Sequence, residues 1–340
     1  MARYLGTQNV IVGLFESGTY RNASGNFWPG LVQSHNLEPQ EGTFNERYIG
    51  GTGRDIDISF QGPKIFRGTL VSHPQNFRFL AWTLGSNVDA GSPSPHTHTM
   101  TALDNDVGTA FTSGPMNPFL SFGIQETGVA PGTGANNQRT VKGCIIDEWE
   151  LAGEMGGILT ETTKYIATSG AYASGAASTI NAFNYGLSAV GSIIDRPYIF
   201  SDVTLSIPSG TIYETLKSFS IKVSNSLIER HYLTGSRDAS APPQPDTRGI
   251  MLNTGFDAQS ETAKILYESY YQGGSDFNAM LRVNASTGSR DNIITLSGCR
   301  IMDPFSSPLG INDINSQDLV IIAKNIDGVS TDLMQSYNPF

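Results

Sequence analysis

The stretches KGCIIDEWELAGEMGGILTETTKYIATSG (residues 142–170) and LSGCRIMDPF (residues 296–305) contain the two cysteines of the chain, and a glycine precedes each of them. The two pairs, Gly143-Cys144 and Gly298-Cys299, lie 155 positions apart in a chain of 340 residues. Apolar and polar residues alternate around each pair, a pattern typical of half-buried β-strands. We therefore predict that the pairs occupy equivalent positions in two copies of one domain.

The same alternation recurs along most of the chain, between turns rich in glycine and proline. Charged residues make up only 15% of the chain, whereas glycine occurs 37 times. This composition favours strands and turns over long surface helices. We predict a mainly β protein with strands within residues 9–17, 54–62, 117–126, 140–151, 157–169, 198–207, 217–227, 249–256, 277–286, 292–302 and 318–325.

Two segments have helical spacing instead. HPQNFRFLAWTLGS (residues 73–86) stops at Gly85, and SETAKILYESYYQGGS (residues 260–275) stops at a Gly-Gly pair. Glycine commonly ends helices. Each half of the chain then has the order strand, helix, strand, Gly-Cys strand, strand. In this order, the strand at residues 54–62 matches the strand at residues 217–225.

This order predicts two domains, over residues 1–168 and 193–340, joined by a Gly/Ala/Ser-rich linker over residues 169–192. The first domain has two segments without a counterpart in the second. One is an N-terminal stretch rich in asparagine and glycine (residues 16–51), which we predict to be an arm or loop, and the other is a long loop over residues 87–115. Connections of this length are usually functional or mobile. Both are candidates for contacts with neighbouring copies of the chain, as is the segment at residues 234–249 in the second half.

The charge balance argues against tight binding to nucleic acid. The formal net charge is −10, from 21 basic and 31 acidic residues, and lysine and arginine form no run. Proteins that neutralise phosphates need such basic clusters. No apolar stretch approaches the roughly 20 residues that cross a bilayer, and the first residues lack the pattern of a signal peptide. We predict a chain that is synthesised in a cytoplasm and does not bind a membrane.

The sequence contains no constellation of residues typical of an enzyme. His96 and His98 are separated by one residue, but no third metal ligand follows at a usable spacing. Glu148 and Glu150 share one face of a predicted strand, which indicates a polar surface better than a catalytic pair. His231 has no nucleophile motif near it. We predict two buried free thiols and no catalytic residue, metal or cofactor.

Three stretches resemble segments of tail tube proteins (major tail proteins) of long-tailed bacterial and archaeal viruses. GCIIDEWELAGEMGGILTETTKYIATSG (residues 143–170) is similar to the strand, Gly-Gly turn and strand of that family. SFSIKVSNSLIERHYLTGSRDASAPPQPDTRGIMLNTGFDA (residues 218–258) is similar to a strand ending in Ser-Asn that precedes a Gly-Ser-Arg loop and a further strand. FRFLAWTLGS (residues 77–86) is similar to the helix ending in Leu-Gly-Ser.

The resemblance implies two tandem β-sandwich or barrel domains, each with one short α-helix, that assemble into a ring-shaped β-barrel. Because each chain carries two copies, three chains suffice for a ring with pseudo-sixfold symmetry, and a hexamer is the alternative. Stacked rings form the tail tube of the virion, other tail proteins contact its ends, and viral DNA passes through during ejection without specific binding. An acidic lumen repels the phosphate backbone. Its candidate residues are Asp55, Asp57, Glu214 and Glu229.

A second hypothesis is a receptor- or carbohydrate-binding β-sandwich protein on the virion surface. Sugar binding usually requires exposed aromatic side chains. Trp28, Trp82 and Trp149 are spread singly through the chain, and two of them lie within predicted elements, which weakens this hypothesis. The first hypothesis predicts rings with a central hole, whereas the second predicts compact monomers that bind a sugar.

Overall fold

The computed structural model of the chain is mainly β, which confirms the predicted class. Its described residues contain eighteen strands, one α-helix and one π-helix, besides a short 3-10 turn. The structure describes residues 9–16, 23–27, 29–36, 38–46, 58–91, 95–103, 120–126, 137–174, 196–208, 210–212, 215–231, 236–238, 247–257, 267–285, 290–302 and 316–332.

The elements are numbered in chain order. The strands up to residue 174 are β1 (Asn9–Glu16), β2 (Ala23–Phe27), β3 (Leu31–His35), β4 (Glu38–Glu46), β5 (Ile58–His73), β6 (Gly85–Ala90), β7 (His96–Ala102), β8 (Leu120–Glu126), β9 (Asn137–Glu154), β10 (Thr160–Ala167) and β11 (Ser169–Ser174). The later strands are β12 (Val203–Ser206), β13 (Leu216–Ser224), β14 (Gly249–Asp257), β15 (Phe277–Ala285), β16 (Arg290–Ile301), β17 (Ser316–Ile322) and β18 (Asn325–Asp332). The α-helix α1 is Arg78–Leu84, and the π-helix is Tyr267–Gln272.

All strands belong to one antiparallel sheet that branches at β9 and β16, and within the described residues it does not close into a barrel. The strand pairing divides this sheet into three parts. The first-half sheet has the order β2–β1–β8–β9–β11. The second-half sheet has the order β12–β15–β16–β18–β7–β6. The shared sheet has the order β4–β5–β10–β9–β13–β14–β17–β16, with β3 on the same side of β5 as β4.

One face of the shared sheet is buried. Trp149 and Leu151 on β9 and Ile221 on β13 are inaccessible to solvent. The residues directly before and after each of them along the strand are partly exposed. This period of two is what a sheet with one buried face requires. The helix α1 packs against β9, and all of its residues are buried. It ends at Gly85, whose φ of 84° is in the left-handed region and whose N–H donates to the carbonyl of Ala81.

The first helix is shorter than predicted. The strand β5 continues through His73, so α1 begins at Arg78 instead of at the start of the predicted segment, whereas its predicted stop at Gly85 is confirmed. The second predicted helix, residues 260–275, contains the π-helix, and residues 260–266 lie outside the described residues. In the part of the chain that the structure describes, no helix is long and apolar enough to cross a membrane.

Three segments that the sequence predicted to be irregular contain strands. The N-terminal stretch, residues 16–51, supplies β2, β3 and β4, and the predicted loop, residues 87–115, supplies most of the hairpin β6–β7. The predicted linker, residues 169–192, begins with β11. Residues 104–115 and 175–192 lie outside the described residues. These segments alternate weakly, and they form strands because neighbouring strands supply their hydrogen-bond partners.

Candidate functional site

The Gly143-Cys144 pair forms a β-bulge between β8 and β9. Leu120 lies opposite Cys144 and Phe122 opposite Val141, so β9 uses one residue more than β8 over the same distance. Gly143 has a φ of 63°, in the left-handed region that glycine adopts without steric cost. The Cys144 thiol is buried and lies 3.8 Å from the carbonyl oxygen of Val141. The backbone of the bulge therefore accounts for the glycine.

The Gly298-Cys299 pair forms the same bulge between β15 and β16. Phe277 lies opposite Cys299 and Ala279 opposite Leu296. The φ of Gly298 is also 63°. The buried Cys299 thiol lies 3.5 Å from the carbonyl oxygen of Leu296, three residues earlier, as in the first bulge. Burial raises the pKa of Cys299 to about 11, so this thiol is protonated at neutral pH.

A backbone hydrogen bond accompanies each bulge at the same place. The N–H of Thr168 donates to the carbonyl of Lys142 (3.2 Å), and the N–H of Lys324 donates to the carbonyl of Ser297 (3.0 Å). Each acceptor immediately precedes the glycine of its bulge. Beyond the bulge, β9 pairs with β10 and β13, and β16 pairs with β17. Each Gly-Cys pair thus marks the point where a strand enters the shared sheet.

The pairing also shows which strands have matching neighbours in the two halves. The strands β8 and β15 lie beside the bulged strands, and β1 and β12 lie beside β8 and β15. In the shared sheet, β10 pairs with β5, and β17 pairs with β14. β5 therefore has the place of β14, whereas the sequence matched residues 54–62 with residues 217–225, which contain most of β13. That match was wrong because order along the chain does not specify pairing.

The two halves join through β9 and β13. Seven residue pairs, from Ser218 opposite Glu154 to Ser224 opposite Glu148, connect these strands. The N–H of Asn225 extends the ladder by donating to a carbonyl of the β9 strand at 2.7 Å. The buried side-chain amide of Asn225 donates to carbonyls of α1 and β9 at 3.0 and 2.9 Å. These bonds hold the helix and both halves in one register.

The face of the shared sheet opposite the core is polar at this junction. Glu148 lies between Lys164 of β10 and Lys222 of β13, with its carboxylate oxygens 2.5 and 2.7 Å from the two amines. Glu150, on the same face, accepts a hydrogen bond from the hydroxyl of Ser220 (2.6 Å). Partial burial raises the pKa of Glu148, but the hydrogen bonds and charges of the two lysines outweigh burial and lower it overall. Strands of both halves are therefore cross-linked on this face.

Strand register adds two exposed carboxylates to the polar face. Glu154 lies opposite Ser218, Ser218 opposite Gly255, and Gly255 opposite Asp318. Glu154 and Asp318 are exposed, and both the Ser218 hydroxyl and an Asp318 carboxylate oxygen lie within 3.2 Å of where a side chain on Gly255 would start. The position of Asp318 depends on pairing across three strands, so alternation within β17 alone could not assign it.

A buried carboxyl group lies on the opposite face of the same strands. Glu161 is 3% exposed, and its Oε1 accepts a hydrogen bond from the indole Nε1 of Trp149 (2.7 Å), while its Oε2 lies 3.5 Å from the hydroxyl of Ser72. Burial raises the pKa of Glu161 to about 7, although both hydrogen bonds oppose the shift. In the second half the corresponding residue is Gln317, opposite Phe256 as Glu161 is opposite Ser72. An ionisable residue thus stands where the other half has a neutral one.

The structure describes one of the four predicted lumen residues. Glu229 lies after the end of β13, its carboxylate accepts a hydrogen bond from Nε of Arg67 (2.9 Å), and its side chain is 10% exposed. Asp55, Asp57 and Glu214 lie outside the described residues. The assignment of these four carboxylates to a lumen stays a prediction.

The two histidines of the His-Thr-His stretch have separate partners. Nδ1 of His98 lies 2.6 Å from Asp89 Oδ1, and its Nε2 lies 3.1 Å from Asp332 Oδ1. Nδ1 of His96 lies 2.6 Å from the carbonyl oxygen of Gly91. Among the residues that the structure describes, no group of three or more histidine, cysteine or acidic side chains is arranged to hold a metal ion. The predicted absence of a metal site in the whole chain stays a prediction.

Comparison with protein-family models and with curated proteins finds no match to this chain. The features that bear on function therefore come from the strand pairing and the side-chain contacts of the chain itself. They are the two bulges, the β9–β13 junction and the polar face of the shared sheet.

Proposed function

We propose that the chain is a structural subunit of a viral tail tube, in which two copies of one domain contribute strands to a ring. The observation that carries this proposal is the junction of the shared sheet, where β9 and β13 of different halves pair directly. Either half alone would leave an open strand edge at this place. The proposal extends the same pairing from one chain to the next.

Three features support a duplication of one domain. The two bulges have the same residue pair, the same φ of 63° and the same contact between the thiol and a carbonyl three residues earlier. The order β1–β8–β9–β11 in the first-half sheet matches β12–β15–β16–β18 in the second-half sheet. In the shared sheet, the order β5–β10–β9 matches β14–β17–β16. Descent from one ancestral domain accounts for all three.

The shared sheet ends in β4 on one side and in β16 on the other. Within the sheet, these two edge strands have the positions that β13 and β9 have at the junction. At one end β4 lies beside β5, as β13 lies beside β14, and at the other end β16 lies beside β17, as β9 lies beside β10. Pairing β16 of one copy with β4 of the next would repeat the β9–β13 junction. Three copies, each with the eight strands of its shared sheet, would then close a barrel without open edges. A ring of six copies is the alternative.

Exposed apolar side chains at both ends support this closure. The rings of Phe44 on β4 and Phe60 on β5 lie 5.3 Å apart, and each residue is nearly half exposed. Met302, directly after β16, is 55% exposed. Clustered apolar side chains on a surface mark interaction sites. A neighbouring copy would cover both groups.

The polar face of the shared sheet suits the lining of a conduit. It carries Glu148, Glu150, Glu154 and Asp318, with lysines interspersed, and the whole chain has a net charge of −10. Such a surface repels phosphates and offers no basic cluster to hold them, so DNA would slide past it. In this proposal the rings stack in the virion tail after synthesis in the host cytoplasm, and other tail proteins cap the tube.

The alternative, a carbohydrate-binding protein on the virion surface, gains no support from the tryptophans. Trp82 and Trp149 are 2% and 0% exposed, so neither side chain can stack on a sugar. Trp28 lies outside the described residues. The alternative therefore remains an outcome of the assembly test below.

The test is the assembly state of the purified chain. Native mass spectrometry should give a species of about 110 kDa, three times the 36.6 kDa chain, and negative-stain images should show rings with a central hole. A species of twice that mass would indicate the six-copy ring. Monomers that bind to a glycan array would overturn the proposal in favour of the alternative.

Matched variants locate the contact between chains. Phe60→Asp and Met302→Asp place a charge at the two ends of the shared sheet, and each should give folded monomers. Val88→Asp is the control, since Val88 is 60% exposed on β6, away from these ends. Circular dichroism checks folding. Normal rings from both end variants would refute the proposed pairing of β16 with β4.

A further inference from the structure

The hairpin β6–β7 belongs to the first half of the chain but extends the sheet of the second half. Six residue pairs, from Thr101 opposite Asp327 to His96 opposite Asp332, join β7 to β18. Among the described residues, β6 pairs with β7 alone. The outer two strands of the second-half sheet are therefore attached through the β7–β18 pairing.

A buried histidine lies within this attachment. Nδ1 of His98 faces Oδ1 of Asp89 on β6 at 2.6 Å, and Nε2 faces Oδ1 of Asp332 at the end of β18 at 3.1 Å. The His98 side chain is inaccessible to solvent, and that of Asp332 is 4% exposed. The side-chain amide of Asn87 also donates to Asp89, at 2.5 Å. One imidazole thus bridges carboxylates from the two halves of the chain.

With both aspartates ionised, both contacts are hydrogen bonds only when the imidazole carries two N–H groups. A neutral imidazole has one N–H and one lone pair, whereas a carboxylate only accepts. The neutral ring, itself inaccessible to solvent, would therefore direct a lone pair at one carboxylate. The protonated ring donates to both and offsets one of their two charges. We propose that His98 is a proton-dependent clasp, whose protonated form holds the β6–β7 hairpin against β18 and whose deprotonation weakens this docking.

The strands beside His98 supply few further polar groups. On β7, His96 lies on the same face, and its Nδ1 meets the carbonyl oxygen of Gly91. On β18, Ser330 lies opposite His98, and its hydroxyl donates to the side chain of Asn292. Both neighbours are bonded elsewhere, so the two carboxylates dominate the surroundings of the ring.

The other charged residues on α1, β6 and β18 lie apart from the ring, and the buried Arg290 of β16 has its guanidinium over the ring of Tyr198, 4.9 Å from the centroid. The helix α1 carries one charged residue, Arg78, and its guanidinium lies over the indole of Trp82, 5.7 Å from the ring centroid. The second acidic residue of β18, Asp327, lies opposite Thr101 at the far end of the pairing. Asp89 is the one charged residue of β6. The charge state of His98 therefore responds mainly to Asp89 and Asp332.

The pKa of His98 sets the pH range of the clasp. Burial lowers this pKa, but the hydrogen bonds and charges of Asp332 and Asp89 outweigh burial and raise it above the ordinary value of 6.5. Because the folded-state pKa is the higher one, the stabilisation is complete below about pH 6.5 and is lost as the pH rises through the folded-state value. An alkaline medium should therefore loosen the hairpin.

The protonation state is measured directly by NMR of the chain with ¹⁵N-labelled histidine. As the pH is raised, the His98 imidazole should keep protons on both nitrogens to above pH 6.5, the ordinary value for histidine. Asp332→Asn should shift the signals of that ring most, which assigns it to His98. A His98 ring that loses its second proton below pH 6.5 would overturn the proposal.

Hydrogen–deuterium exchange of the full chain, corrected for intrinsic rates, measures the docking. Between about pH 6 and pH 9, protection of β7 and β18 should fall severalfold relative to β9 and β10. In Asp332→Asn, the introduced amide can donate to a neutral Nε2, so the hairpin should stay docked without this pH dependence. Asp327→Asn, on the same strand, is the control and should retain it.

Equal pH dependence in Asp332→Asn and the unaltered chain would refute the clasp, as would its absence from the unaltered chain. Both measurements apply equally to monomers and rings. Their failure is therefore distinguishable from failure of the tail tube proposal.

Discussion

The two bulged strands make the same backbone turn but have different surroundings beyond it. After Gly143, β9 lies between β10 and β13, with an ion cluster on one face and a buried carboxyl group on the other. After Gly298, the described residues of β16 pair with β17, and the charges nearby are exposed: Asp276 contacts both Arg300 and Lys324. The bulge thus specifies where a strand changes sheets, whereas the neighbouring strands determine which charges are buried.

The residue that follows each cysteine illustrates this difference. Ile145 lies opposite Ile166 and is 1% exposed, whereas Arg300 lies opposite Ile322 and its side chain is 60% exposed. A strand covered on both sides favours apolar residues, while a strand at an edge tolerates charge, which also discourages unwanted pairing. Equal backbone geometry therefore does not imply an equal environment.

The largest expected effect tests whether the two bulges are equivalent. Gly143→Val and Gly298→Val each place a β-branched residue at a φ of 63°. The backbone strain costs about 1–2 kcal/mol and crowding about 1–3 kcal/mol more. We expect similar losses of about 3 kcal/mol in the free energy of unfolding, measured by urea denaturation.

The control for this pair is Gly249→Ala. Gly249 has no left-handed φ, and an added Cβ would meet nothing closer than 3.9 Å. The control should change the free energy of unfolding by less than about 1 kcal/mol. A large loss in only one of the two bulge variants would contradict their equivalence.

Glu161→Gln places in the first half the residue type that the second half has at the matching position, Gln317. In the unaltered chain, the pKa of Glu161 rises from 4.5 to about 7 on folding, so stability is lost as the pH rises through this range, by about 3 kcal/mol. The glutamine keeps an acceptor for Trp149 but does not titrate. We expect the variant to be the more stable form at about pH 8 and to lack this loss, as measured by urea denaturation at both ends of the range.

An exposed carboxylate is the control for this prediction. Glu154→Gln removes an exposed charge at the end of β9 and should leave the pH dependence unchanged. If Glu161→Gln were less stable than the unaltered chain at alkaline pH, the buried carboxylate would be stabilising instead, and its assigned environment would be wrong.

A smaller effect compares the ion clusters beside the two bulges. The pKa of Glu148 is lowered, so its contribution is complete above about 4.5 and is lost as the pH falls. Glu148→Gln should lower the free energy of unfolding at pH 7 by about 1 kcal/mol. Asp276→Asn, at an exposed site, should have a weaker effect that disappears in concentrated salt. Equal losses of stability in Glu148→Gln and Asp276→Asn would show that packing of β13 beside β9 does not strengthen the ion pairs of Glu148.

The smallest expected effect concerns the thiols. Cys144 and Cys299 are both fully buried, so neither should react with a thiol reagent in the folded chain, and both should react after unfolding. Counting modified thiols by mass spectrometry at increasing urea gives the measurement. Reaction of one cysteine well before the other would show that the two bulges open separately.

Local patterns were sufficient for features that lie within one strand or one helix. Alternation located β9 and placed Glu148 and Glu150 on one face, and Gly85 was correctly predicted to end the first helix. The glycine before each cysteine marked both bulged strands. All of these features depend on residues a few positions apart, so they can be predicted from the sequence alone.

Partnerships between distant strands were not predictable. The strands β2, β3 and β4 alternate weakly, and β3 and β4 take their hydrogen-bond partners from β5. The contact of His98 with Asp332 spans 234 positions, and no spacing rule connects them. The same holds for the junction of β9 with β13, because any two strands with one apolar face are compatible in pattern.

The sequence by itself determined which segments alternate, where a glycine permits a left-handed φ, and the net charge of −10, because these properties depend on composition or on neighbours along the chain. Only the tertiary structure decided which strand edges meet. It thereby decided that Glu161 is buried beside an indole, that His98 lies between two carboxylates, and that Asp318 remains in water. The physical reason is that strand pairing and the burial of charge depend on every group brought near in space.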